Sequence, residues 1–159
     1  MKSLVVYFSC SGMTQKVAEK LAIATNSDLY EILPENPYTN EDLNWRNKQS
    51  RTSIEMKDHS SRPAIKNKVK NMEKYDVVYI GFPIWWYVAP TIINTFLEQY
   101  DFSEKTIVTF FTSGGSELGN TISELKPSCS NTTKWVKGKR FSSSVSEQEL
   151  KNWANSLNI

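Results

Sequence analysis

The sequence has few of the residues on which secreted, metal-binding and membrane proteins depend. Its two cysteines, Cys10 and Cys129, are too few for a disulfide framework. Because His59 is its single histidine, neither a histidine-based catalytic triad nor a multi-histidine metal site is possible. The longest apolar run near the start, Leu4 to Phe8, is too short for a signal sequence or a membrane span. We therefore expect a cytoplasmic protein with reduced thiols, without a metal ion and without membrane association.

The chain also lacks a strong net charge. It contains 19 lysines and arginines against 17 aspartates and glutamates, and the formal net charge of +2 gives no electrostatic argument for nucleic acid as a partner. Its size is sufficient for a full hydrophobic core, since a chain of about 150 residues buries roughly 68–70% of its unfolded surface. We predict one domain over residues 1–159, present as a monomer or a weak dimer.

Short apolar segments alternate with segments of helical periodicity, which is typical of an α/β fold. Residues 3–8, 76–81 and 106–112 are predicted strands that are apolar on successive positions and therefore buried on both faces. Residues 28–33 and 133–136, the latter continuing towards Phe141, are predicted edge strands. The connections are too long for hairpins, so we expect a parallel sheet covered on both faces. The predicted helices are residues 14–24, 65–74, 90–100, 116–125 and 146–157.

One long connection, residues 34–63, departs from this alternation, and we call it the excursion. It shows no strand pattern, although it includes Tyr38 and Trp45. Residues 39–70 contain eight basic and four acidic side chains, which makes this region locally basic. Connections of this length usually carry a helix of their own or a function. Two interpretations stay open: a solvated helical excursion whose aromatic residues dock on the domain, and a lid or partner surface beside a cleft.

Ligands of open parallel sheets bind beyond the carboxyl ends of the strands, so the loops after three strands are candidates for a site. The first loop, residues 9–14, contains three hydroxyl groups and one glycine and leads into a helix. Free N–H groups and the helix dipole suit a phosphate there. The loop lacks both the lysine of a Walker motif and the three glycines of a dinucleotide fingerprint. On its own, this loop is explained equally well by simple helix capping.

The second and third loops supply different chemistry. The second, residues 82–88, contains Trp85, Trp86 and Tyr87, which cannot all enter one core. At least one should lie at the mouth of the crevice, where it can stack on a flat heteroaromatic ligand. The third, residues 112–116, contains paired glycines that expose backbone N–H groups to the edge of a ligand. Turns and caps explain each loop singly, but the combination at one end of a sheet favours a ligand site.

In this order, the three motifs resemble those of the flavodoxin family, and the resemblance covers essentially the whole chain. It implies a flavodoxin-like three-layer α/β sandwich with a five-stranded parallel sheet in the order 2-1-3-4-5. It also implies one non-covalently bound FMN. The motifs read Ser9-Cys10-Ser11-Gly12-Met13-Thr14 after the first strand, Gly81-Phe82-Pro83-Ile84-Trp85-Trp86 after the third and Thr112-Ser113-Gly114-Gly115-Ser116 after the fourth.

By position, the resemblance assigns each loop to one part of the cofactor. The first loop would wrap the phosphate, the second would flank the isoalloxazine ring, and the third would meet the pyrimidine edge of that ring. No catalytic side chain is implied, because a flavin carries the redox chemistry itself. The expected cofactor-binding residues are Ser9, Ser11, Gly12, Met13, Thr14, Pro83, Ile84, Trp85, Trp86, Thr112, Ser113, Gly114 and Gly115.

Two functions are compatible with this resemblance. One is an electron carrier between redox partner proteins, and the other is an FMN-dependent oxidoreductase that moves electrons from NAD(P)H to a quinone or another small acceptor. The charge of +2 argues against the usual acidic docking face of carriers. Residues 112–119 also lack a second aromatic residue. Either the second loop does all the stacking, or Tyr38 or Trp45 reaches over from the excursion, or one ring face stays open.

Two other families share features with the chain but fit it less well. A cysteine followed by five residues and an arginine forms the nucleophile loop of low-molecular-weight tyrosine phosphatases, but the sixth residue after Cys10 is Lys16. Lysine cannot make the bidentate grip of arginine on a phosphoryl group. A phospho-receiver domain needs an aspartate at the end of the third strand, where Gly81 and Phe82 stand.

Overall fold

The computed structural model describes residues 2–159, which contain a five-stranded parallel β-sheet. The strands lie in the spatial order 2-1-3-4-5, and every neighbouring pair is parallel. This arrangement confirms the predicted fold class and strand order. In chain order the strands are β1 Ser3–Tyr7, β2 Asp28–Glu31, β3 Val77–Pro83, β4 Thr106–Thr112 and β5 Lys134–Arg140.

Within residues 2–159, five α-helices connect and follow the strands. Ser146 caps the last of them, because its hydroxyl accepts a hydrogen bond from the Glu149 N–H at 3.1 Å. Ser50 occupies the same position before the short helix of the long excursion. The helices are α1 Met13–Thr25, α2 Arg51–Lys57, α3 Thr91–Glu98, α4 Thr121–Leu125 and α5 Glu147–Ser156.

The central strands are buried on both faces because each face packs against a different helical layer. Val5 and Tyr79 lie on the face covered by α1 and α5. Val6 and Ile80 lie on the opposite face, which is covered by α3 and the end of α4. Burial on both faces explains why β1, β3 and β4 read as continuous apolar runs rather than as alternating ones.

The prediction of a helix over residues 65–74 is wrong. Only Met72–Lys74 forms a short 3₁₀ turn, and residues 65–71 form no helix or strand apart from an antiparallel bridge between Ile65 and Pro34, just beyond the end of β2. The Asn67 side chain bonds two backbone groups at and just beyond the end of β2, so this segment covers the free edge of that strand. Ile65 and Val69 are four residues apart, a spacing that both helical and extended periodicities allow.

The helix predicted over residues 116–125 is shorter than expected, because α4 begins at Thr121. Gly119 adopts a left-handed φ of 57°, and a Cβ there would lie 2.4 Å from the carbonyl oxygen of Tyr87. The third loop therefore does not lead directly into a helix but continues to Asn120. Of the remaining predicted elements, β2 ends at Glu31 rather than at residue 33, and the others agree closely.

Gly81 is one of two glycines of the sheet, with Gly138, at which a Cβ would lie only 2.2 Å from a neighbouring side chain, and it gives a direct test of this packing. A Cβ at Gly81 would lie 2.2 Å from two ring carbons of Phe110, which is fully buried and has no room to move. We expect Gly81→Ala to lower the free energy of unfolding by about 1–3 kcal/mol in urea denaturation. Gly114→Ala is the matched control, since its Cβ would meet nothing within 4 Å. Equal stability of both variants would contradict the packing described here.

Candidate functional site

The carboxyl ends of β1, β3 and β4 bring the three predicted loops together at one edge of the sheet. The Thr14 and Thr112 hydroxyls are buried and hydrogen-bonded to each other at 2.7 Å, which joins the first loop to the third. The Ile84 N–H donates to the Thr112 carbonyl at 3.0 Å, which joins the second loop to the third. Thr14, Ile84 and Thr112 therefore fix the loops relative to one another.

The first loop ends in a helix start that carries no side-chain cap. Gly12 is the N-cap of α1 and has a φ of 87°. Because glycine has no side chain, it cannot bond the free N–H groups of the first turn. Its own N–H donates to the Ser9 hydroxyl at 3.1 Å, and the Ser11 side chain is exposed. The N–H groups in the first turn of a helix have no partner within the helix, so those of Met13 and Thr14 can bind an anion. The site thus provides neutral donors at the positive end of α1.

The second loop closes on a backbone-strained turn. Trp85 and Val88 form an isolated antiparallel bridge with two backbone hydrogen bonds, of 2.9 and 3.2 Å. Trp86 and Tyr87 between them have φ values of 49° and 68°, a left-handed conformation that such turns usually give to Asn and Gly. Strain of this kind persists only where the surroundings enforce it. The turn holds both side chains outwards, with Trp86 45% and Tyr87 68% exposed.

Trp85 has a different environment from its two neighbours. Its ring packs edge-on against Phe8 at 5.8 Å and against Tyr38 at 5.7 Å between centroids. Phe8 and Tyr38 also pack edge-on against each other, at 5.7 Å. Trp85 therefore anchors the second loop to the core and to the excursion, whereas Trp86 is the tryptophan of this loop that is free to contact a ligand with its face.

The third loop presents open backbone. The Ser113 hydroxyl donates to the Ser116 carbonyl at 2.6 Å and accepts from the Gly115 N–H at 3.3 Å, which closes a small turn. Gly114 and Gly115 are exposed, and a Cβ on either would meet nothing within 4 Å. Space for the edge of a ligand is therefore present over this turn.

A small cavity of about 190 Å³ lies between the first loop, the second loop and the excursion. From the predicted set, it is lined by Ser11, Thr14, Pro83, Trp85 and Trp86. Three further lining residues, Leu43, Trp45 and Thr52, come from the excursion, and of these only Trp45 is a candidate from the sequence. The predicted residues that do not line this cavity are Ser9, Gly12, Met13, Ile84, Thr112, Ser113, Gly114 and Gly115.

Arg51 organises the part of the excursion that borders the cavity. Its guanidinium lies 3.7 Å from the centroid of the Tyr38 ring, and its Nε donates to Glu55 at 3.0 Å. The Tyr38 hydroxyl donates to the same carboxylate at 2.6 Å, and the pKa of Tyr38 is raised, mainly by burial. The Thr52 hydroxyl donates to the Asp42 carbonyl at 2.8 Å. These bonds fix the excursion, which turns through residues 39–50 and then forms α2.

Cys10 does not have the properties of a nucleophile. Partial desolvation raises the pKa of its thiol to about 12, and the positive charge of Arg51 offsets only part of that increase. A catalytic thiolate needs a lowered pKa. The raised pKa of Cys10 therefore argues against phosphatase chemistry in the first loop.

The family model for flavodoxin matches residues 2–157. No curated protein sequence matches the chain significantly. None of the helices in residues 2–159 is both long and apolar enough to cross a membrane.

Three solved structures are similar to the chain over nearly its whole length. A candidate flavoprotein from Bacteroides eggerthii is 47% identical, with a TM-score of 0.92 and coverage of 99% of this chain and 98% of its own. One from Bacteroides uniformis is 44% identical, with a TM-score of 0.90 and coverage of 97% of each chain. A flavoprotein from Lactobacillus acidophilus, solved in complex with FMN, is 24% identical, with a TM-score of 0.70 and coverage of 96% and 98%. At 24% identity, the similarity to the Lactobacillus acidophilus protein shows a shared fold.

The raised pKa of Cys10 predicts slow alkylation with a steep pH dependence. Because the thiol stays protonated below its pKa of about 12, the reactive thiolate fraction increases about tenfold per pH unit up to roughly pH 11. Iodoacetamide labelling of the Cys129→Ser variant, followed by mass spectrometry, isolates the rate of Cys10. A rate that levels off near neutral pH would show a lowered pKa and would contradict this prediction.

Proposed function

The chain belongs to the flavodoxin family, and on this premise we propose that it binds one FMN non-covalently at the carboxyl ends of β1, β3 and β4 and transfers electrons through it. The observation that carries the proposal is the position of Trp86, which lines one cavity together with Ser11 and Thr14 of the phosphate-type loop. A flavin needs both features beside one cavity, because its phosphate and its ring are joined by a short ribityl chain.

The first loop fits the phosphate group. The uncapped first turn of α1 provides N–H donors, and the hydroxyls of Ser9 and Ser11 add neutral donors beside it. The Thr14 hydroxyl is engaged by Thr112, so in this proposal Thr14 contributes its backbone N–H, while its side chain positions the loop. Residues 9–14 contain no lysine or arginine. The phosphate would therefore be bound by neutral donors, which agrees with anion binding at a helix N-terminus.

The ring would lie between residues of the second loop and the excursion. Trp86 and Trp45 line the same cavity from different segments, so we propose that Trp86 stacks on one face and Trp45 approaches from the excursion. Of the alternatives left open by the sequence, this assignment favours cover from the excursion, with Trp45 rather than Tyr38. Tyr38 packs behind Trp85 and positions it. The pyrimidine edge would meet the open backbone of Gly114 and Gly115.

The bound flavin would supply the electron-transfer chemistry, and the chain's own residues would bind, orient and partly cover it. We propose a cytoplasmic setting, since both cysteines are free thiols. Redox partner proteins, or NAD(P)H and a small acceptor, remain the proposed partners. The oxidoreductase alternative is favoured by a second, larger opening of about 770 Å³ that shares Trp45 and Trp86 with the small cavity, because it gives a small molecule access to that region.

The flavin site is tested by titrating FMN with the protein and following the loss of flavin fluorescence. We expect binding by the wild-type protein and a Kd raised about 5- to 150-fold in Trp86→Ala, because a stacked ring contributes about 1–3 kcal/mol. Tyr87→Ala is the matched control: it removes the next aromatic ring of the same turn, which does not line the small cavity. No binding by the wild-type protein would overturn the proposed function, and equal affinities of all three proteins would remove Trp86 from the site.

Direct reduction by NAD(P)H separates the two functions. In anaerobic stopped-flow experiments, the oxidoreductase predicts bleaching of the bound flavin by NADH or NADPH alone. The carrier predicts no bleaching until a separate reductase is added. Turnover of NAD(P)H without a reductase would contradict the carrier, and its absence would exclude the oxidoreductase that uses NAD(P)H.

A further inference from the structure

We propose that the larger cleft beside the flavin site binds a second ligand, a planar aromatic compound that carries an anionic group such as a sulfonate or carboxylate. The cleft lies between the excursion, the strained turn of the second loop and α4. The proposal rests on the proposed FMN site only for its consequence, which is that such a ligand would lie next to the flavin.

The shape of the cleft supports a ligand of this size. Its volume of about 770 Å³ is within the range of about 300–1,000 Å³ that is typical of small-molecule sites. Trp45 and Trp86 line both this cleft and the small cavity, so they mark the boundary between the two spaces. None of residues 9–14 and none of residues 112–115 lines the cleft. Most of its wall is therefore separate from the residues expected to hold the cofactor.

The charge of the cleft favours an anion. Arg46, Lys48 and Lys57 line it, and within residues 2–159 none of the three has a carboxylate within 4.0 Å. Glu124 is the single carboxylate in the lining, and it already contacts His59 at 3.1 Å. Three cations without an acidic partner around one opening attract a negatively charged group and orient it.

The aromatic residues of the cleft favour a planar ligand. Trp45 is 64% exposed, and Tyr87 is held 68% exposed by a backbone conformation that is unfavourable for an aromatic residue. The Arg46 guanidinium lies 5.2 Å from the centroid of the Trp45 ring, so a positive charge and a stacking surface are side by side. Gly119 is the residue that allows the close contact with the Tyr87 backbone. The strained turn thus presents the Tyr87 ring to the cleft, although packing of the core does not require that ring.

The test compares a naphthalene sulfonate with its neutral sulfonamide, by calorimetric titration of the FMN-loaded protein. We expect the sulfonate to bind more tightly than the sulfonamide, and its affinity to fall as salt is raised, because the charges are near solvent. The double variant Lys48→Glu/Lys57→Glu should weaken sulfonate binding by about tenfold or more, since two attractions become repulsions. Lys134→Glu/Lys137→Glu is the matched control, because it makes the same change in net charge at exposed residues of β5.

Flavin absorbance of the same samples keeps the two proposals distinct. FMN retention in the Lys48→Glu/Lys57→Glu variant, together with weaker sulfonate binding, supports the cleft. Equal binding of sulfonate and sulfonamide, equal loss in the β5 control, no sulfonate binding, or release of FMN by the sulfonate would overturn it. If the protein takes up no FMN, the proposed function fails, and the same titration of the flavin-free protein still decides whether the cleft binds the anion.

Discussion

The parallel hydrogen bonding of β1, β3 and β4 is the constraint on which the rest of the structure depends. These strands are neighbours in the centre of the sheet and are buried on both faces, so a slip of one residue would move apolar side chains into the wrong layer. Their register fixes where each strand ends, and hence where the three loops begin. The buried bond between Thr14 and Thr112 and the bond from Ile84 to Thr112 then hold the loops together. A site assembled from residues far apart in the chain is the consequence.

The elements that could be predicted are those whose local sequence is compatible with one type of element only. The three buried strands and α1 have apolar patterns that fit one structure, and the flavodoxin-like motifs agree with them in their order along the chain. The prediction of a helix over residues 65–74 failed because the spacing of Ile65 and Val69 is common to a helix and to an extended segment. Contacts at the edge of β2 decide between the two. Residues 116–120 are not helical because Gly119 turns to contact Tyr87, a tertiary contact that local sequence does not reveal.

The geometry of the candidate site depends on two features that the sequence conceals. Trp86 and Tyr87 adopt positive φ values although neither residue type favours them, so no turn rule identifies which tryptophan faces outwards and which packs inwards. The position of Trp45 depends on the network of Arg51 with Tyr38 and Glu55, which orders the excursion. The sequence could indicate that the excursion is basic and contains aromatic residues. It could not show that these residues form one wall shared by a small cavity and a larger, cationic cleft.

In the proposed arrangement, one FMN lies across the three loops at the carboxyl end of the sheet. Heteronuclear NMR of the isotope-labelled protein during an FMN titration locates the flavin, because each backbone amide reports its own surroundings. We expect the largest shifts at residues 11–14, 85–86 and 113–115 and at the Trp45 indole, and little change in β5 or α5. Unchanged resonances in these loops, with shifts centred on another surface, would contradict FMN binding at this site.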